Sequence, residues 1–105
     1  MNLNAIVLQV RAEQLIKACC PEYKFQWSSA KRQAGYCDWT NKTISLSYHH
    51  ACNSTLKFNE DTILHEIAHA MTEGHHHDEV WRKAYLLLGG SGKRLYDAKD
   101  CRKDY

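Results

Sequence analysis

The stretch "HEIAHAMTEGHHHDEVW", running from His65 to Trp81, decides how this chain is read. It holds five of the seven histidines in 105 residues. His65 and His69 are four apart, which on an α-helix places them one turn apart on one face, within reach of a common ion. The helix has local support, because Ile63, Leu64, Ile67, Ala68 and Met71 form a broad apolar surface. Such a surface is expected in the core. Two histidines and a glutamate carried into a core are costly unless they are paired or bound to metal. Ala68 and Ala70 leave room close to the backbone.

Glu66 directly follows the first histidine, giving the H-E-x-x-H arrangement of zinc peptidases. In it the two imidazoles bind Zn²⁺, and the carboxylate reaches a water instead of the metal. A catalytic zinc needs three protein ligands and keeps its fourth position open. The run "GHHH" offers His75, His76 and His77 for the third place. His75 lies six after His69, the spacing of H-E-x-x-H-x-x-G-x-x-H. That pattern wants glycine where this chain has Thr72, and no methionine follows Met71 to make its downstream turn. His77 is therefore favoured, His75 is the rival, and His76 is expected to face solvent. His49 and His50 are expected to be exposed loop histidines with no role.

"ILHEIAHAM" followed by "HDEVW" resembles the SprT-like zinc metallopeptidases. Their pattern is H-E-x-x-H on one helix, a loop of variable length, then a histidine opening a second helix with an aromatic residue four positions on. Here His77 stands four before Trp81. The family's usual small residue after that histidine is Asp78 in this chain, which can still cap the helix. "GYCDWTNKTISLS" is similar to the family's hairpin and to its strand ending in Leu-Ser. The resemblance spans roughly residues 3–90. It implies a zincin-like fold, Zn²⁺ on His65, His69 and His77, Glu66 as the catalytic base, and protein or peptide substrates. In some members the substrates are proteins on DNA. Many relatives carry a cysteine-rich zinc ribbon after the catalytic domain, and this sequence has none. Its small size resembles phage-encoded members, an expectation that places it in the host cytoplasm.

Elsewhere the chain reads as one α+β domain. Leu3, Ile6, Val7 and Val10 recur at helical spacing, with Leu15 and Ile16 continuing the face, so a helix is expected over 3–19, stopped by "CCP". Tyr23, Phe25 and Trp27 alternate with polar residues as a half-buried strand. "AGYCDW" and "TISLSY" give two more strands around the turn "TNK", and so short a turn makes them antiparallel. The expected sheet is a short antiparallel one of three strands. Residues 49–59 look like an irregular connection with about one helical turn. Asn59 is expected to cap a metal-binding helix over about 60–73, ending near Gly74. Asp78 is expected to cap a last helix through Leu88, stopped by "GGSG". Trp81, Tyr85 and Leu88 form its core stripe. Asp38 fits either a turn or a role behind the site. The domain is placed at 1–92, with 93–105 as a C-terminal tail.

Composition bounds the alternatives. Fourteen Lys and Arg against twelve Asp and Glu leave a formal net charge of +2, which does not announce a nucleic-acid partner. Lys93, Arg94, Lys99, Arg102 and Lys103 are interleaved with Asp97, Asp100 and Asp104, the pattern of a solvated tail. No run of 18 apolar residues occurs, so no membrane partner is expected. The N-terminus lacks the pattern of a signal peptide. Five cysteines with no C-x-x-C pair point to packing thiols in a reducing cytoplasmic setting. A non-catalytic module, stabilised by zinc and binding protein or nucleic acid, is the alternative to a peptidase. Retention of Glu66 argues against it, since a closed structural site has no use for a base.

Overall fold

The structure, a computed structural model, describes residues 2–93. Its elements in chain order are α1 (Leu3–Cys19), β1 (Lys24–Ser28), β2 (Gly35–Asp38), β3 (Thr43–Ser47), α2 (Tyr48–Asn53), α3 (Leu56–Met71) and α4 (Glu79–Leu87). The α+β class holds, with four helices and one three-stranded sheet among the described residues. The tail assigned to 93–105 lies outside the described residues except for Lys93.

The sheet is mixed, not antiparallel throughout. Its order is β1-β3-β2, with β2 antiparallel and β1 parallel to the central β3. The β2–β3 hairpin follows from its short turn, where Lys42 takes a left-handed φ of 50°. The six residues linking β1 to β2 carry the chain over the end of β3. β2 therefore starts one place further out and β3 returns between its predecessors. As the middle strand, β3 is buried along its whole length.

Register sets the layers. Phe25 pairs with Ile44 and Trp27 with Leu46, while Cys37 pairs with Ile44 and Gly35 with Leu46, so all six side positions share one face. On that face lie α1, with Gln9 accepting from the Trp27 indole at 2.8 Å, and α3, whose Thr62 and Glu66 crowd Gly35. The core between the layers holds Leu8, Ile16, Tyr23, Ile44, Ile63 and Ile67. A second cluster of Ala68, Trp81 and Tyr85 joins α4 to α3, as the stripe on α4 predicts.

Two expectations about helices are corrected. α1 has its expected span, but Leu3, Ile6, Val7 and Val10 face outward, 45–73 % exposed. Its buried stripe is Ala5, Leu8, Ala12 and Ile16. That stripe has helical spacing too, and its two alanines let the helix lie close to its neighbours. α3 begins four residues earlier than expected, capped by Thr55, whose hydroxyl accepts from the Phe58 amide at 3.1 Å. Asn59 is inside the helix and 4 % exposed, and its side-chain amide donates to the carbonyl of Ala51 at 3.0 Å. It fastens α3 to α2, the six-residue helix that occupies much of the supposed irregular connection. Asp78 caps α4 as expected, accepting from the Trp81 amide at 3.0 Å.

Cys19, Cys20, Cys37 and Cys52 are free thiols. Burial pushes the Cys20 thiol up to about 12, which keeps it protonated and unreactive. Among the described residues, no helix is long and apolar enough to cross a membrane.

Candidate metal centre

α3 turns His65, Glu66 and His69 inward together. All three are buried, although they belong to the polar half of the alphabet. The helix ends at Met71, and Gly74 with φ of +88° reverses the chain toward α4. That reversal returns His77 to the two helix histidines. Its Nε2 lies 3.2 Å from Nε2 of His69 and 3.3 Å from Nε2 of His65. One ligand atom from each of the three falls within 4.8 Å of the others. Zinc–nitrogen bonds of about 2.0–2.1 Å at tetrahedral angles separate ligand nitrogens by about 3.3 Å. The two separations from His77 match that spacing, and the cluster could bind a metal ion.

The other histidines do not join them. His75 is turned away, with Nδ1 2.8 Å from a carboxylate oxygen of Asp78. His76 is exposed and its ring packs 5.6 Å from that of Trp39. His50 contacts the carbonyl of Lys31 through Nε2 at 2.8 Å, and His49 is exposed beside it.

Glu66 is fully buried, and neither carboxylate oxygen has a hydrogen-bond partner among the described residues. Burial pushes its pKa well above the ordinary carboxylate value. It sits at the floor of an open cleft of about 340 Å³, whose lining includes Tyr36, Trp39, His69, His76 and His77. A buried carboxylate with open valences beside three converging imidazoles fits a site built to receive an ion and a water. Cys37 also lines the cleft, and burial, then the charge of Glu66, pushes its thiol up.

An aromatic wall backs the cluster. Trp81 stacks on His69 at 5.2 Å and 21° and donates through its indole to the carbonyl of His65 at 3.3 Å. The ring of Tyr85 lies 5.4 Å from that of His65, and its hydroxyl donates to the Asp61 carboxylate at 2.6 Å. Trp39 closes the other side by donating to the carbonyl of His69 at 2.8 Å. Trp81 and Tyr85 thus do more than form a core stripe, and Trp39, which no sequence pattern singles out, joins them. Of the two roles that fit Asp38, the structure shows the turn: it accepts from the Asn41 amide and side chain at 3.0 and 2.8 Å.

A family model described as the SprT-like family matches residues 3–99. The chain belongs to the SprT-like family. No curated protein matches it significantly. The match covers all four helices and the sheet.

Proposed function

We propose that this SprT-like domain is a zinc-dependent peptidase acting on protein substrates. The single observation that carries the reading is the buried carboxylate of Glu66, which lines an open cleft with His69 and His77, has no hydrogen-bond partner among the described residues and lies beside the cluster that His65 completes. His65, His69 and His77 would hold Zn²⁺ through their Nε2 atoms. When bound, the ion supplies a Lewis acid and makes water a competent nucleophile near neutral pH. Glu66 takes the proton of the attacking water and delivers it to the leaving amine. The Trp81 and Tyr85 rings keep bulk water from the back of the site, and Trp81 holds the orientation of His69.

Substrate entry follows from the sheet. Among the described residues β2 pairs with β3 on one side only, and Tyr36, Cys37 and Asp38 line the cleft. An extended peptide adding alongside β2 would satisfy the strand's open backbone groups and pass across Glu66. Trp39 and His76 would then contact its side chains. Proteins on DNA are the substrate class that the family resemblance adds.

The test is proteolysis of an unfolded protein by the purified chain, with and without chelator, and with single- and double-stranded DNA in parallel reactions. Cleavage that chelator abolishes and added zinc restores is expected. A chain that binds zinc yet cleaves nothing, with or without DNA, is a zinc-stabilised binding module.

A further inference from the structure

His77 reaches the two helix histidines only because the chain between α3 and α4 folds back. Residues 72–76 make that return, and Glu73 is fastened from the opposite side. Its carboxylate accepts hydrogen bonds from the phenol of Tyr23 and the ammonium of Lys42. The Lys42 ammonium also lies 5.4 Å from the centre of the Tyr23 ring, so the three groups form one cluster.

Both anchors have hydrogen-bonded backbones. Tyr23 is 4 % exposed, and its amide donates to the Cys20 carbonyl at 2.9 Å. Lys42 holds the left-handed turn between β2 and β3, and its carbonyl accepts from the Lys24 amide at 3.0 Å. The loop carrying the third histidine is thereby tied to the sheet, at residues far from it in sequence. Trp39 assists one turn earlier through the carbonyl of His69.

We propose that Glu73 is a positioning residue for the metal site: held by Tyr23 and Lys42, it fixes the 72–76 segment so that His77 stands at His65 and His69 before an ion arrives. This rests on the metal-site reading above. An exposed ion pair alone is worth little. The hydrogen bond from a buried phenol to a carboxylate is stronger, being charge-assisted and fixed at one end. Its value lies in loop ordering: a segment already in place loses less freedom when the ion binds.

The test is zinc affinity, measured by competition with a chromophoric chelator, for wild type, Glu73→Ala, Tyr23→Phe and the double variant. Outer-shell partners of metal ligands typically contribute about 10–100-fold in affinity. Glu73 touches no ligand directly, so a loss at or just below the bottom of that range is expected, about 3- to 10-fold. Tyr23→Phe should weaken binding less, and should add nothing once Glu73 is gone, because it acts through Glu73. Cobalt-saturated Glu73→Ala should keep the wild-type visible spectrum, since its three ligands are intact, whereas His77→Ala should not. Wild-type affinity in Glu73→Ala, or a further loss from Tyr23→Phe in its absence, overturns the proposal. A wild-type chain that binds no zinc overturns the metal-site reading itself.

Discussion

A Cβ on Gly35 would stand 3.1 Å from Oε2 of Glu66 and 3.0 Å from Cγ2 of Thr62. The backbone of β2 is thus the wall against which the buried carboxylate rests, and a side chain on it would be tighter than nine in ten such contacts. Gly35→Ala must push either the strand or Glu66 aside. Overpacking of this kind costs about 1–3 kcal/mol. A shift of a few tenths of an ångström is less than the about 1 Å that can cost on the order of 100-fold in rate, so a smaller fall in peptidase rate is expected, with zinc content unchanged. Zinc analysis, thermal unfolding and rate measurements on one preparation check it. A full rate with an intact fold would mean that Glu66 has slack the geometry does not suggest.

Trp81 should matter to both stability and metal. It is 1 % exposed, stacks on His69 and donates to the His65 carbonyl. Trp81→Ala removes a large core side chain, typically costing about 3–5 kcal/mol. That approaches the whole stability of a small domain. Trp81→Phe is the gentler probe: it keeps an aromatic ring but loses the indole donor. Lower zinc affinity with a folded far-UV spectrum is expected, and unchanged affinity would reduce Trp81 to packing.

The Glu73 tie should be pH-dependent in a defined direction. Hydrogen bonds from Lys42 and then Tyr23 hold its carboxyl below the ordinary value of 4.5. A depressed carboxyl contributes stability above its unfolded pKa and loses it as pH falls through the folded pKa. The thermal midpoint of the metal-free wild type should therefore exceed that of Glu73→Gln by a constant, small margin above pH 5. The margin should shrink as pH drops below about 4.5. A margin that grows toward acid pH has the wrong sign for this tie.

Removing metal should lower the unfolding temperature. Zinc bound to the folded state alone adds about 2.7 kcal/mol at a free concentration 100 times its dissociation constant. For a domain of about 100 residues, that corresponds to a midpoint shift of on the order of 10 °C. Calorimetry with and without chelator measures it. An unchanged midpoint after demonstrated zinc removal would mean that the two aromatic and aliphatic clusters hold the domain unaided.

The parts of the molecule legible in sequence were those set by local rules. Asp78 as a cap, the hairpin from Tyr36 to Leu46, and the one-turn spacing of His65 and His69 all depend on residues within a few positions of each other. The sheet's handling of β1 was not legible, because parallel pairing with β3 depends on which strand slots between the others. Nor was the inward face of α1: Leu3, Ile6, Val7 and Val10 outweigh Ala5 and Ala12 in hydrophobicity, but close helix packing favours the alanines. Asn59 misled as a cap candidate, because its amide finds its partner in α2, eight residues back. Around the site, Glu73, Trp39 and Lys42 act through contacts more than 25 positions away, which no local pattern encodes. Gly35 did leave a signal, since glycine in a strand often marks close backbone approach.

The most direct measurement of the central claim is proteolysis of an unfolded protein by zinc-loaded Glu66→Gln beside the wild type. Glutamine keeps the size of the side chain and removes its basicity. Because Glu66 is not among the three histidines of the cluster, the variant should fold and keep its zinc. General acid–base help is worth about 10²–10⁴-fold in rate, so cleavage should fall by at least 100-fold while zinc content stays at one per chain. Equal cleavage by the two proteins would contradict the account and assign the activity to a contaminant or to another group.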